Sequence, residues 1–361
     1  MDLNRRSRLV APDALRGLAL VGVCVMNYHG YLLLRGGDGQ DGNFFERVFD
    51  PWEGPLSTRF AAVFVMVAGM SVTLLAASER RTTSDVRWIL VRRGVLLYAF
   101  GYALDWVWSG TILLYYGAYF LVAALVFTWR SRWLLTGAVA AAVGAATIQW
   151  WVLDRATDGH DPYWLVYGPG YDNRSVREQF LDTAVRGTHP LLPWLTFFFI
   201  GVVIARSLPW RVERRVQFAF GGTLLLATGY AMRSALDWDE RLRSVHPFDR
   251  ALPYTISTVG SSLLAIAVIG WAAERWAESL PVRALVLTGR TTLTLYVGHV
   301  LVFNLLVGVL EWVHPAGLGT ALVFALAYWV VGIVAANLWQ RRVGIGPLEW
   351  WYRRFSDGSP T

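Results

Sequence analysis

Leu9–Leu34 reads LVAPDALRGLALVGVCVMNYHGYLLL, and this stretch decides the fold. It is long and apolar enough to cross a bilayer, yet it carries Asp13, Arg16, Asn27 and His29. Hydrocarbon penalises such groups, so a span that keeps them points to a polar interior path. In one continuous helix Asp13, Arg16 and Asn27 share a face, with Asn27 about 20° from Arg16 and ~16 Å further along the axis. His29 falls on the opposite side unless the helix breaks at Tyr28–Gly30. Cys24 lies in the same span and is the single cysteine of the chain, which rules out an intrachain disulfide and a cysteine metal cluster.

The rest of the chain repeats the pattern. Of its 361 residues, 55% are hydrophobic and 16% charged, well below the roughly 25% charged of a soluble chain, and its mean hydropathy is +0.39. Apolar runs of about twenty residues recur near 14–34, 58–77, 89–108, 111–128, 133–153, 191–207, 216–235, 254–273, 290–312 and 319–340. The expected fold is an all-α, polytopic transmembrane helix bundle of about ten spans. The first span reads as a signal anchor that is retained.

The net charge is +7, and every basic residue is Arg. A cytoplasmic N-terminus puts Arg5, Arg6, Arg8, Arg80, Arg81, Arg130, Arg132, Arg214, Arg215, Arg341 and Arg342 inside. The loop 35–56, with Asp38, Asp41, Glu46, Asp50 and Glu53, then lies outside. This positive-inside bias places both termini in the cytoplasm and explains the basic pI without nucleic acid. The organisation expected is a membrane half over 1–153, an outer loop or cap over 154–190 with one amphipathic helix near 175–186, and a second membrane half over 191–361. The sequon at Asn173 matters only in a secretory host.

A second polar cluster lies in LTGRTTLTLYVGHVLVFNLL, residues 287–306. Gly289 interrupts the run, and Arg290 stays at the inner interface. Thr292, Tyr296 and His299 fall within about 60° of one another, with His299 near mid-bilayer. A histidine aligned with Tyr and Thr suits proton handling, although a helix–helix hydrogen bond explains it equally simply. Arg92 and Arg93 stand at the inner surface. Asp50, Glu53, Asp105 and His189 stand at the outer one, and Arg59 enters the bilayer in need of a carboxylate partner. No Walker A, H-E-x-x-H, G-x-S-x-G or dinucleotide motif occurs.

Several blocks resemble known families. DALRGLALVGVCVMN, the RRGVLLYAFGYALDWVWSGTILLYYG block, GTHPLLPWLTFFFIGVVIAR, LTGRTTLTLYVGHVL and the closing GIGPLEWWYRR resemble, in order, the motifs of YeiB-type bacterial membrane proteins. The N-terminal third, through Asn27-Tyr28 and DPWEGPLS, is similar to heparan-α-glucosaminide N-acetyltransferase. That resemblance implies a transmembrane acyltransferase in the cell membrane. It would carry an acyl group from cytosolic acetyl-CoA or another acyl-CoA to a sugar-type or other small acceptor, with lipid as its surroundings and no metal. The position of that family's active-site His holds an apolar residue here, near Phe49, so the base must be His29, His299 or a carboxylate such as Asp50. Arg16, Arg92, Arg93 and Arg290 would hold CoA phosphates, Asn27 would steady an acyl oxygen or the base, and Asp50 and Asp105 would orient it. Asp13, Glu53, Arg59, His189, Thr292 and Tyr296 would complete the polar path. A transporter or exporter component uses the same residues as a substrate or proton path, and a membrane scaffold uses them for stability alone.

Overall fold

The structure, a computed structural model, describes residues 10–37, 43–167 and 175–357. Arg5, Arg6, Arg8, Asp38, Asp41 and Asn173 lie outside the described residues. Every long element is a helix, and no strand occurs among the described residues. In chain order they are α1 (Val10–Leu34), α2 (Phe44–Val48), α3 (Arg59–Ala76), α4 (Thr83–Asp105), α5 (Ile112–Val126), α6 (Ser131–Thr157), α7 (Val176–Leu181), α8 (Leu191–Ala205), α9 (Val212–Ala235), α10 (Leu252–Arg275), α11 (Leu280–Arg290), α12 (Thr292–Phe303), α13 (Leu318–Val343) and α14 (Pro347–Asp357).

Each of the ten expected apolar segments is helical. By length and composition, α1, α3, α6, α10, α13 and the continuous stretch Thr292–Val309 can cross a bilayer. A seventh crossing results if Val176–Arg186 and α8, bent by 54°, form one span. The shortfall from ten has physical causes. The 15 residues of α5 extend only ~22 Å at 1.5 Å per residue, less than a hydrocarbon core of about 30 Å. Polar residues and glycines dilute the other two: Asp85, Arg87, Arg92, Arg93 and Asp105 in α4, and Gln217, Gly221, Gly222, Thr223, Thr228, Gly229 and Arg233 in α9.

The chain condenses into two compact units. The first comprises Met1–Phe64, Pro209–Gly222 and Ser262–Trp351. In it α1 lies against α11, α12 and α13. Backbones meet at two glycines: a Cβ on Gly17 would strike the Leu285 carbonyl, and one on Gly289 would strike the Asp13 carbonyl. Such small-residue crossings let helices approach where lipid supplies no hydrophobic drive between them. Ala14, Ala273 and Val282 fill the space beside this crossing, flanked by Val10, Leu285 and Val286.

Gly289 therefore does not break its helix, as its position in the sequence suggested. It stays helical within α11, and the interruption comes two residues later at Thr291, whose φ of −114° and ψ of 31° leave the helix. The amides exposed at the start of α12 are closed by Glu349. Its Oε1 accepts from the Leu293 and Thr294 amides at 2.6 and 3.0 Å, and its Oε2 from the Thr294 hydroxyl at 2.6 Å.

The second unit comprises Val65–Leu208, Thr223–Ser261 and Tyr352–Thr361. Its α4 and α5 form a hairpin around Gly110, whose φ of 81° suits the turn. The same reciprocal glycine contact recurs between α3 and α8, where Gly69 meets the Phe198 carbonyl and Gly201 the Met66 carbonyl. Thr196 ties α8 to α6 through the Ala138 carbonyl at 2.8 Å. The helix expected near 175–186 is present as α7, continued by a π-helical turn over Asp182–Arg186. At the end of the chain, Asp357 bridges Arg81 and Arg93, both at 3.1 Å. Burial opposes ionisation of its carboxyl, but Arg93, the Ser356 hydroxyl and Arg81 outweigh this and hold its pKa below the ordinary value.

Two outcomes follow. Gly289→Ala should lower stability by about 1–3 kcal/mol, because the added methyl overpacks a backbone contact. Gly221→Ala, where a Cβ meets nothing within 4 Å, should leave it unchanged or slightly raised. Thermal unfolding of both variants in nanodiscs measures this. For Asp357 the folded carboxyl is the stronger acid, so its stabilisation is present above the ordinary carboxylate range and is lost as pH falls through the depressed folded value. Hydrogen exchange of residues 352–357 should match that of Asp357→Asn only at strongly acidic pH, and be slower than in the variant at neutrality.

Candidate active site

α1 and α12 meet through a buried polar pair. The Asn27 amide donates from Nδ2 to His299 Nε2 at 3.1 Å. His299 Nδ1 lies against the Tyr296 carbonyl. A carbonyl only accepts, which places the ring proton on Nδ1 and leaves Nε2 to accept from Asn27. The Tyr28 hydroxyl donates to the His299 carbonyl at 3.0 Å, and that of Tyr328 to the Leu295 carbonyl at 2.5 Å. Tyr296, Tyr28 and Tyr328 surround the imidazole, with ring centroids 4.8, 5.8 and 6.4 Å away. Both nitrogens of His299 are thus engaged, and it is fully buried.

His29 has a different setting. α1 runs unbroken through Tyr28–Gly30, so two residues turn the side chain about 200° away from Asn27. Its ring is 1% exposed and turns to the connection before α3, where Nδ1 meets the Phe49 carbonyl at 2.9 Å. That contact likewise fixes the proton on Nδ1. Nε2 is buried and has no hydrogen-bond partner. A buried polar atom left without a partner is uncommon and calls for an explanation.

The segment that holds His29 is itself braced. Asp50 Oδ1 accepts from the Trp52 and Glu53 amides at 2.8 and 2.7 Å, and the Ser57 hydroxyl donates to the Pro51 carbonyl at 2.6 Å. A Cβ on Gly30 would press on Pro51, so the glycine lets α1 lie close to this turn. Asp50 thereby shapes the turn that presents the Phe49 carbonyl. Glu53 is exposed, and Arg59 is buried at the first turn of α3.

At the other end of α1, Asp13 lies between Arg290 at 3.2 Å and Arg16 at 3.7 Å. Arg16 also donates to the Gly289 carbonyl at 3.4 Å, and Thr292 to the same carbonyl at 2.7 Å. The sequence paired Asp13 with Arg16 alone; the glycine crossing adds Arg290 as a second cation. Glu349 was read from the sequence only as part of the G-P-L-E-W block. Its role as the cap of α12 depends on a contact across more than fifty residues, which no local pattern displays.

The remaining candidates belong to the second unit. Asp105 Oδ1 accepts from the Gly110 amide at 2.8 Å and so shapes the α4–α5 turn. Arg93 is held by Asp357 and lies over the Tyr352 ring at 5.4 Å, whereas Arg92 is exposed. His189 is buried between Tyr115 and Trp194, at 5.7 and 4.5 Å between ring centroids. Its carbonyl accepts from the Tyr119 hydroxyl at 2.5 Å, and its Nδ1 has no hydrogen-bond partner. Among the described residues, no group of three or more His, Cys, Asp or Glu side chains is placed to hold a metal ion.

Two family profiles match the chain. That described as "Protein of unknown function (DUF418)", the YeiB-type family, covers residues 200–359. That described as "Heparan-alpha-glucosaminide N-acetyltransferase, catalytic" covers residues 8–232. No curated protein matches. With the apolar helices, these matches make the chain a multi-pass membrane protein. The second profile spans more than half of the sequence and takes in α1, the Phe49–Pro51 turn and His29. The chain belongs to the heparan-α-glucosaminide N-acetyltransferase catalytic family.

Proposed function

We propose that this protein transfers an acyl group from acyl-CoA, acetyl-CoA in the first instance, to a hydroxyl or amine of a sugar-type acceptor, with His29 as the base. One observation carries the assignment: a buried imidazole whose tautomer is set by the Phe49 carbonyl and whose second nitrogen is bare. Family membership supplies the reaction class.

His29 Nε2 accepts the acceptor's proton as the acceptor oxygen or nitrogen bonds the thioester carbonyl carbon. The adduct then collapses, the C–S bond breaks, and the proton passes from Nε2 to the departing thiolate. The products are acylated acceptor and CoA thiol. Imidazole suits both steps because it exchanges protons near neutral pH. His299 has no free nitrogen for this work, and Asn27 holds it rather than the base. Arg16 and Arg290 share one carboxylate, Asp13, and so keep a surplus positive charge for a CoA phosphate. The proposed setting is the cell membrane, with both termini cytoplasmic.

The transport reading drew on the interrupted α11–α12 span, since half-helix ends often bind ions. Here Glu349 occupies the amides at the start of α12, which disfavours that use.

His29→Asn keeps a donor for the Phe49 carbonyl but removes the base. It should lower kcat for labelled acetyl transfer by about 10²–10⁴-fold, with CoA protection against thermal unfolding retained. Full activity in His29→Asn, or loss only in His189→Ala, contradicts the base assignment. Proton-coupled uptake with no CoA protection contradicts the transfer reading.

A further inference from the structure

The second unit contains a cavity of about 280 Å³ where the last turn of α9 meets the connection that follows it. Arg233, Ser234, Glu240, Arg243, Ser244 and His246 line it. The sequence marked none of these residues: Arg233 and Ser234 end an apolar run, and 236–253 reads as an ordinary loop of mixed charge.

The connection is built rather than loose. Asp239 Oδ1 accepts from the Arg241 amide at 2.9 Å, and Ser244 Oγ from the His246 amide at 3.0 Å. Arg241 lies over the Tyr163 ring at 5.9 Å, and Ser244 is buried. Among the described residues, neither Arg233 nor Arg243 forms an ion pair, although Glu240 shares the cavity. Two guanidinium groups with unused donors form a fork for a carboxylate or phosphate. Ser234 and Ser244 can donate to or accept from hydroxyls, and Glu240 accepts from them. The lining offers no apolar wall for an acyl chain and no aromatic face apart from His246 on which a base could stack.

We propose that this cavity binds an acidic monosaccharide, a sugar carrying a carboxylate or phosphate, with Arg233 and Arg243 on the acid group and Glu240 on the hydroxyls. The site stands independently of the transfer reading, because its test measures binding and not turnover.

Titration calorimetry of the full chain in nanodiscs tests it, with glucuronate, glucose 6-phosphate, glucose and inorganic phosphate as probes. Saturable binding is expected for the two acidic sugars and absent for glucose. Arg243→Gln and Arg233→Gln should each weaken it about tenfold or more, as expected for loss of a charge-assisted bond. Glu240→Gln should weaken acidic sugars and spare inorganic phosphate. Unchanged thermal unfolding shows that each variant folds. Binding of glucuronosyl diacylglycerol in the nanodisc without binding of free glucuronate assigns the sugar to a lipid headgroup; binding of both assigns a soluble ligand. Three results overturn the proposal: no saturable binding of either form of acidic sugar, affinity unchanged in both arginine variants, or phosphate binding as tightly as the sugars with no effect of Glu240→Gln.

Discussion

The close crossing of α1 over α11 is the constraint on which the first unit depends. Gly17 and Gly289 remove the side chains that would hold the two backbones apart. Asp13, Arg16 and Arg290 then fall together, and an otherwise costly carboxylate gains two cations. Further along α1, past the end of α11, Asn27 meets His299 of α12. Where the α1 and α11 backbones lie in contact, polar groups that hydrocarbon would penalise individually find partners.

This arrangement distinguishes the two histidines by their partners. His299, facing α1 from α12, has a partner for each nitrogen and a cage of tyrosines. His29, two residues beyond Asn27, faces away from α12 and meets the Phe49 carbonyl with one nitrogen still bare. The family's histidine position falls near Phe49. Here the backbone carbonyl of Phe49 orients an imidazole supplied from α1.

Much of the fold was legible in the sequence, since long apolar runs encode helices directly. Helical spacing also put Asn27 on the same face as Arg16 and His29 opposite, and both positions hold in the unbroken α1. What remained hidden came from long-range contacts. Gly289 looked like a helix breaker because its need for close approach to Asp13 depends on a residue more than 270 positions away. Glu349 looked like a motif letter until α14 met the start of α12. The ion pairs of Arg93 with Asp357 and of Arg290 with Asp13 likewise join residues more than 260 positions apart. The cavity lined by residues from Arg233 to His246 gave no signal, because it joins the last turn of α9 to polar residues of a loop without periodicity.

The most direct measurement is a double-mutant cycle on Asn27→Ala and His299→Ala, read as unfolding free energy in nanodiscs. A favourable coupling of about 0.6 kcal/mol or more between the two sites is the predicted result, in the range of hydrogen bonds between membrane helices. Strictly additive losses would contradict the account, because Asn27 and His299 would then not hold α1 against α12.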